Sequence, residues 1–239
     1  ARILPLISPI LPRMSDTEKV AIEAGTVGWE AEFYTGRPHW RRLLNFQPHD
    51  LSPKEVAFLG APCEKVCEMM TDWEVSQTGD LSKEVWEYIK RQGFMGMIIP
   101  EEFGGLGFSA AAHSAGVRKL TTRSVALAVT VMVPNSLGPA ELLLHYGTEE
   151  QKDHYLPRLA RGDEVPCFAL TGPRVGSDAA DMPDTGIVCR GMWQGREIVG
   201  LKLNFNKRYI TLAPIATVIG LAFRMFDPDK LLGENTSLG

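Results

Sequence analysis

Two hydrophobic rhythms divide this chain. Val85, Trp86, Tyr88 and Ile89 recur with the spacing of an amphipathic helix, and Leu142, Leu143, Leu144 and Tyr146 do so less cleanly. From Val165 onward the apolar runs become short and rich in β-branched, aromatic and aliphatic residues: Pro166 to Thr171, Gly186 to Cys189, Glu197 to Leu203, Tyr209 to Thr211 and Ala216 to Phe223. These runs predict strands. Helix punctuation is confined to the first part. Ser15 with Glu18, Ser52 with Pro53 and Glu55, and Thr148 with Gln151 fit capping boxes, in which a hydroxyl and a carboxylate or amide satisfy the unpaired N–H groups of a first turn. Gly25, Gly93, Gly147 and Gly162 lie where helices should stop, since glycine takes the left-handed conformation at little steric cost.

Helices first and strands after predict an α+β protein, or two separate domains, rather than alternating βαβ units. The divisions read as a linker over 1–14, interrupted by Pro5, Pro9 and Pro12, a helical domain over 15–163, and a β domain over 164–239 that is unfinished, with its last strand left open at an edge. No repeat of solenoid length and no low-complexity segment is visible.

A 44% hydrophobic content over 239 residues suits a globular chain with a sizeable core. The formal charge of -4, with 29 acidic against 25 basic residues and no Lys/Arg block, argues against nucleic acid as a partner. Cys63, Cys67, Cys167 and Cys189 lack the spacing of a zinc site, and the five histidines form no His-x-x-x-His pair, so no metal is expected; the thiols read as free, with Cys167 and Cys189 as packing residues. The longest nearly uncharged apolar stretches, Val125 to Val133 and Thr211 to Phe223, are shorter than the ~20 residues that span a bilayer as a helix.

The chemically richest stretch runs from Cys167 to Asp178: Cys-Phe-Ala-Leu-Thr-Gly-Pro-Arg-Val-Gly-Ser-Asp. Read alone, it is a strand entering a Pro/Gly turn. Backbone N–H groups at such a strand end, with the hydroxyls of Thr171 and Ser177, can donate to a polar ring edge or a phosphate oxygen without formal charge. The plain alternative is a surface turn.

The stretch resembles the first signature of the acyl-CoA dehydrogenase family, Ala-Leu-Thr-Glu-Pro-x-Ala-Gly-Ser-Asp. Tyr146 to Lys152 with Tyr155-Leu156-Pro157 and Gly162 is similar to that family's preceding helix and loop, and Ile99 to Gly107 to its Pro-Glu-x-x-Gly-Gly-x-Gly turn. Through Val133 to Pro139 and Asn206 to Pro214, the chain resembles most the long, membrane-linked bacterial branch that serves fatty-acid β-oxidation. The likeness covers roughly residues 13 to 235.

The resemblance implies an N-terminal helical domain followed by an incomplete β domain of acyl-CoA dehydrogenase type, with FAD held between the β domain and a C-terminal four-helix domain. Phe168, Leu170 and Thr171 would line the flavin ring, and Ser177 would meet the cofactor's pyrophosphate or the CoA arm. Tyr209 would pack on the ring, and Thr211 would hydrogen-bond near flavin N5, the hydride acceptor. The substrate implied is a long-chain acyl-CoA, oxidised to a trans-2-enoyl-CoA, with an electron-transfer protein as acceptor. The catalytic base implied is a Glu of the C-terminal domain, with which no residue here aligns. The resemblance further implies a homo-oligomer when complete, a cytoplasmic place at the inner membrane surface, and membrane association through segments absent here.

Departures from the pattern are Gly172 in place of Glu, Leu212 in place of Asn, and Arg174 and Val175 in place of small residues; the long bacterial branch shares the first two. Arg174 is thereby a candidate substrate contact: it can pair with a CoA phosphate or crowd it out. Two readings stay open, a part of a working oxidoreductase and a non-catalytic acyl-CoA- or protein-binding remnant.

Overall fold

The computed structural model describes residues 28–47, 49–136 and 138–233. The expected 1–14 linker, the Ser15/Glu18 cap, the Gly25 stop and the last residues of the predicted open edge lie outside them. The chain divides into two compact units, Ala1–Asp50 and Leu51–Gly239. In the first, a 3-10 turn over Trp29–Thr35 precedes a short helix, α1 (Trp40–Leu44). The rings of Trp29, Phe33 and Trp40 cluster there, with centroids 4.9 to 5.9 Å apart.

The second unit begins with helices α2 (Pro53–Gly60), α3 (Pro62–Glu68), α4 (Asp72–Thr78), α5 (Lys83–Arg91), α6 (Ala110–Thr121), α7 (Val125–Met132), α8 (Pro139–Tyr146) and α9 (Glu149–Arg161). The capping boxes at Ser52 and Thr148 are formed as expected. One more, Thr71 with Glu74, starts α4, and single serine caps at 82, 109 and 124 start α5, α6 and α7. Phe58 meets Phe94 at a tilt and Phe108 edge-on, with centroids 4.7 and 5.1 Å away, in a core that includes Val66, Val85, Ile89, Leu120, Leu127 and Val131.

Gly162 ends α9 in the left-handed conformation (φ 70°), and Gly93 follows α5 with φ 81°. Gly147 corrects the expectation. It ends α8 with an extended backbone, and a Cβ there would lie 2.6 Å from the Leu143 carbonyl oxygen, so close approach rather than handedness requires glycine.

The strands are β1 (Pro166–Ala169), β2 (Thr185–Trp193), β3 (Arg196–Asn204), β4 (Val218–Leu221) and β5 (Arg224–Phe226). β1 pairs in parallel with β4, Pro166 facing Val218. β2 and β3 form an antiparallel hairpin, Thr185 facing Asn204, closed by Gln194 and Gly195, both at positive φ as a tight two-residue turn requires. β5 joins the other side of β2 in parallel.

Three strand expectations need correction. β1 stops at Ala169, because Leu170 and Thr171 turn to meet the loop after β3. The run predicted over Ala216 to Phe223 forms a strand only over Val218–Leu221, and a further strand follows at Arg224–Phe226. Tyr209 to Thr211 is no strand: Tyr209 and Leu212 have φ of 58° and 65°, a left-handed geometry incompatible with a ladder.

Candidate functional site

The end of β1 and the loop after β3 meet through a buried charge. Asp184 and Lys207 side chains are 2% and 5% exposed, and Lys207 Nζ lies 2.6 Å from Asp184 Oδ2. The same ammonium donates to the Leu170 carbonyl at 2.9 Å, and the Asn206 N–H donates to Asp184 Oδ1 at 2.7 Å. The Arg208 N–H then donates to the Thr171 carbonyl at 2.9 Å. Burial pushes the Asp184 carboxyl up, but the Lys207 and Asn206 donors outweigh it and hold the group below the usual carboxylate range. Together these bonds fix the start of the loop, residues 206–208, against Leu170 and Thr171.

A third segment comes from the helical part. Asn135 is buried; its Oδ1 accepts from the Ile98 N–H at 3.2 Å, and its Nδ2 donates to the carbonyls of Phe94 at 2.6 Å and Val131 at 2.9 Å. The turn after α7 is pinned by these bonds. Met132, Val133 and Ser136 of that stretch, Phe168, Leu170 and Thr171 of β1 and its end, and Tyr209, Ile210 and Thr211 of the loop then enclose one cleft of about 270 Å³.

Five of the six residues expected at the cofactor therefore converge. Ser177, the sixth, lies exposed in a bend beyond the Gly172–Val175 turn and does not line the cleft. Arg174 stands on that turn facing a different concavity, while Val175 is buried at 5% exposure and bonded to Gly172 in both directions, at 3.0 and 3.3 Å. Met132, Val133, Ser136 and Ile210 were not singled out by the sequence, although Val133 to Pro139 and Asn206 to Pro214 belonged to resembling segments. Three apolar side chains and a lone serine carry no chemical signal of their own.

The walls suit a flat amphipathic ring. Met132, Val133, Phe168, Leu170 and Ile210 provide apolar surface, and Tyr209 offers a ring that is 84% exposed. Among the described residues, the hydroxyls of Ser136, Thr171, Tyr209 and Thr211 and the N–H of Thr171 have no partner within the protein, so all are free to donate. Among the described residues, no carboxylate or imidazole lines the cleft. Glu101 of the Pro-Glu turn is engaged elsewhere, hydrogen-bonded to Lys54, which holds its carboxyl below the ordinary range. A larger groove of about 420 Å³ runs between α8, α9 and β4, but it is walled mainly by aliphatic and tyrosine side chains and offers less for chemistry. Cys63 is inert: burial pushes its thiol up to about 12.

Residues 61–163 match the family model described as acyl-CoA dehydrogenase, N-terminal domain. An acyl-CoA dehydrogenase of Bacillus subtilis is 30% identical over 79% of this chain. This chain spans 44% of that protein, so it corresponds to less than half the length of the relative. A glutaryl-coenzyme A dehydrogenase solved with glutaryl-CoA superposes with a TM-score of 0.62 at 25% identity, over 78% of this chain and 46% of the other. An FAD complex of PigA does so with a TM-score of 0.63 at 25% identity, over 75% and 46%.

Proposed function

We propose that this chain is a member of the acyl-CoA dehydrogenase family and supplies the helical and flavin-facing portion of an FAD-dependent enzyme oxidising long-chain acyl-CoA to trans-2-enoyl-CoA in β-oxidation. The observation that carries this reading is the convergence of Phe168, Leu170, Thr171, Tyr209 and Thr211, from points some forty residues apart in sequence, on one cleft with unpaired hydroxyl donors. When bound, FAD supplies the acceptor for the hydride leaving the β carbon of the thioester.

The residues present do the rest of the positioning. Thr171 offers its N–H and hydroxyl to a polar ring edge. Thr211 offers a hydroxyl on the facing wall, and Phe168, Leu170 and Tyr209 shield the ring plane from water. Ser177 meets a phosphate as the ligand leaves the cleft. The α proton needs a carboxylate, and among the described residues none lines this cleft; the resemblance implies a Glu of a C-terminal helical domain as the base. Electrons then pass to an electron-transfer protein, with the complete enzyme a homo-oligomer at the cytoplasmic side of the inner membrane.

The second reading, a non-catalytic acyl-CoA- or protein-binding chain, rests on Arg174, a long cation where the resembling pattern has a small residue. Titration with FAD, followed by quenching of flavin fluorescence, tests the cleft itself. Thr171→Val and Tyr209→Ala should each weaken FAD binding about tenfold, the worth of one good hydrogen bond or ring contact. Unchanged affinity in both would remove the flavin from this cleft and leave the binding-only reading.

A further inference from the structure

On the far side of the Gly172–Val175 turn lies a second cleft of about 370 Å³, lined by Arg174, Val175, Asp181, Met182, Pro183 and Arg224. Two guanidinium groups, fifty residues apart in sequence, share this concavity. The turn explains the first. With Val175 buried and doubly bonded to Gly172, Arg174 occupies the exposed corner beside it. Pairing explains the second. Arg224 opens β5, opposite Thr185, and its N–H donates to the Asp184 carbonyl at 2.9 Å.

Both arginines are exposed, and among the described residues neither has a carboxylate within ion-pair distance. Asp181 is the acidic residue of the lining, and it too forms no ion pair. Two cations in one concavity repel each other, whereas an anion carrying two charges relieves the repulsion and can take a bidentate contact from each planar fork. Thr171 lines the flavin-type cleft and Arg174 lines this one. Three residues of chain span at most about 10 Å, so one elongated ligand can reach both.

We propose that Arg174 and Arg224 together bind a phosphate ester of the nucleotide end of the ligand, either the phosphates of CoA or the pyrophosphate of FAD. The identity of the nucleotide rests on the function proposed above; the existence of the anion site does not. Of the two roles open to Arg174, pairing rather than crowding follows, because its cleft is not the one that Phe168 and Tyr209 line.

The test is calorimetric titration of the 239-residue chain at low salt with CoA, dephospho-CoA, FAD and riboflavin. Wild type is compared with Arg174→Gln, Arg224→Gln and the control Arg118→Gln on α6. Each cleft variant should lose at least fivefold in affinity for a phosphate-bearing probe, and added salt should weaken wild type more steeply than the variants. Loss for CoA alone assigns the CoA phosphates, with dephospho-CoA separating the 3′-phosphate from the pyrophosphate; loss for FAD but not riboflavin assigns the flavin pyrophosphate. Wild-type affinity in both cleft variants, a loss matched by Arg118→Gln, or no binding of any phosphate probe overturns the proposal. Failure of the flavin reading would appear instead in Thr171→Val and Tyr209→Ala, and would leave the arginine result standing.

Discussion

Asp184 and Lys207 show how much of the candidate site depends on one contact between single residues. Removing one member of a buried pair leaves an uncompensated charge, at a typical cost of ~3–5 kcal/mol. Asp184→Ala should therefore destabilise the chain by about that much in urea unfolding and free the 206–212 loop, whereas Asp184→Leu combined with Lys207→Met should recover much of the loss. A double variant no better than the single would show that the loop is held by something else. Glu55 makes a comparable link among the helices, with one carboxylate oxygen accepting from the Ser109 N–H and the other from the Ser52 N–H, each at 2.7 Å. The Ser109 N–H and hydroxyl, then the Ser52 N–H, lower its pKa from 4.5 to about 2. A carboxylate depressed in the folded state stabilises it above the unfolded pKa, and that contribution disappears as pH falls through the folded value. Stability should drop between pH 4.5 and about 2, and Glu55→Gln should flatten that limb in acid unfolding followed by circular dichroism. An acid limb as steep in Glu55→Gln as in wild type would assign the loss to other carboxylates, Asp184 among them. Neither link could be read from sequence, since Glu55 meets Ser109 across 54 residues and Asp184 meets Lys207 across 23.

Among the elements, legibility followed the range of the forces involved. The caps at Ser52 and Thr148 were readable because the donor and acceptor sit three residues apart, and the same local rule could have found Thr71 with Glu74. The stretch over Tyr209 to Thr211 was misread because an aromatic, aliphatic and β-branched run suits a strand, while the decisive bonds, Lys207 to the Leu170 carbonyl and Arg208 to the Thr171 carbonyl, are long-range. That misreading falls at the candidate site: a strand would put Tyr209 and Thr211 on one face and Ile210 on the other, whereas with Tyr209 left-handed all three line one cleft. The Pro-Glu turn over Ile99 to Gly107 resembles the family, and the reason for its glycine at 105 is steric. A Cβ there would lie 2.0 Å from the Ile99 carbonyl oxygen. Gly105→Ala should cost at least ~2 kcal/mol, in the range of an overpacked core, and should disturb the Leu106 and Gly107 N–H bonds to Gly96 and Ile99. Hydrogen exchange at those two amides as slow as in wild type would refute this account.

For the molecule as a whole, the helical and β parts differ in how completely they bury themselves. The main core cluster runs from Phe58 to Val131 with Val165 added, whereas Ile187, Ile198, Val199, Leu201 and Leu203 of the hairpin are all exposed. We propose the domain boundary near Asp163, between the end of α9 and the start of β1; residues 51–165 should then fold cooperatively alone, and 164–233 should not. Cooperative unfolding of the β part by itself would reverse that dependence. The same asymmetry bears on activity. The 239-residue chain, purified as such, should bind FAD weakly and should not oxidise an acyl-CoA. Its cleft is open, with Tyr209 mostly in solvent, and among the described residues no carboxylate lines it to take the α proton. A positioned general base is typically worth ~10²–10⁴ in rate. Glu101 does not substitute, because Lys54 engages it and it lies outside the cleft lining. The measurement is anaerobic mixing of the chain, excess FAD and palmitoyl-CoA while following the visible absorbance of oxidised flavin. Persistence of that absorbance is expected; bleaching at the rate of a complete dehydrogenase would place a working base within these 239 residues and would require the cleft to close in a way that its described walls do not.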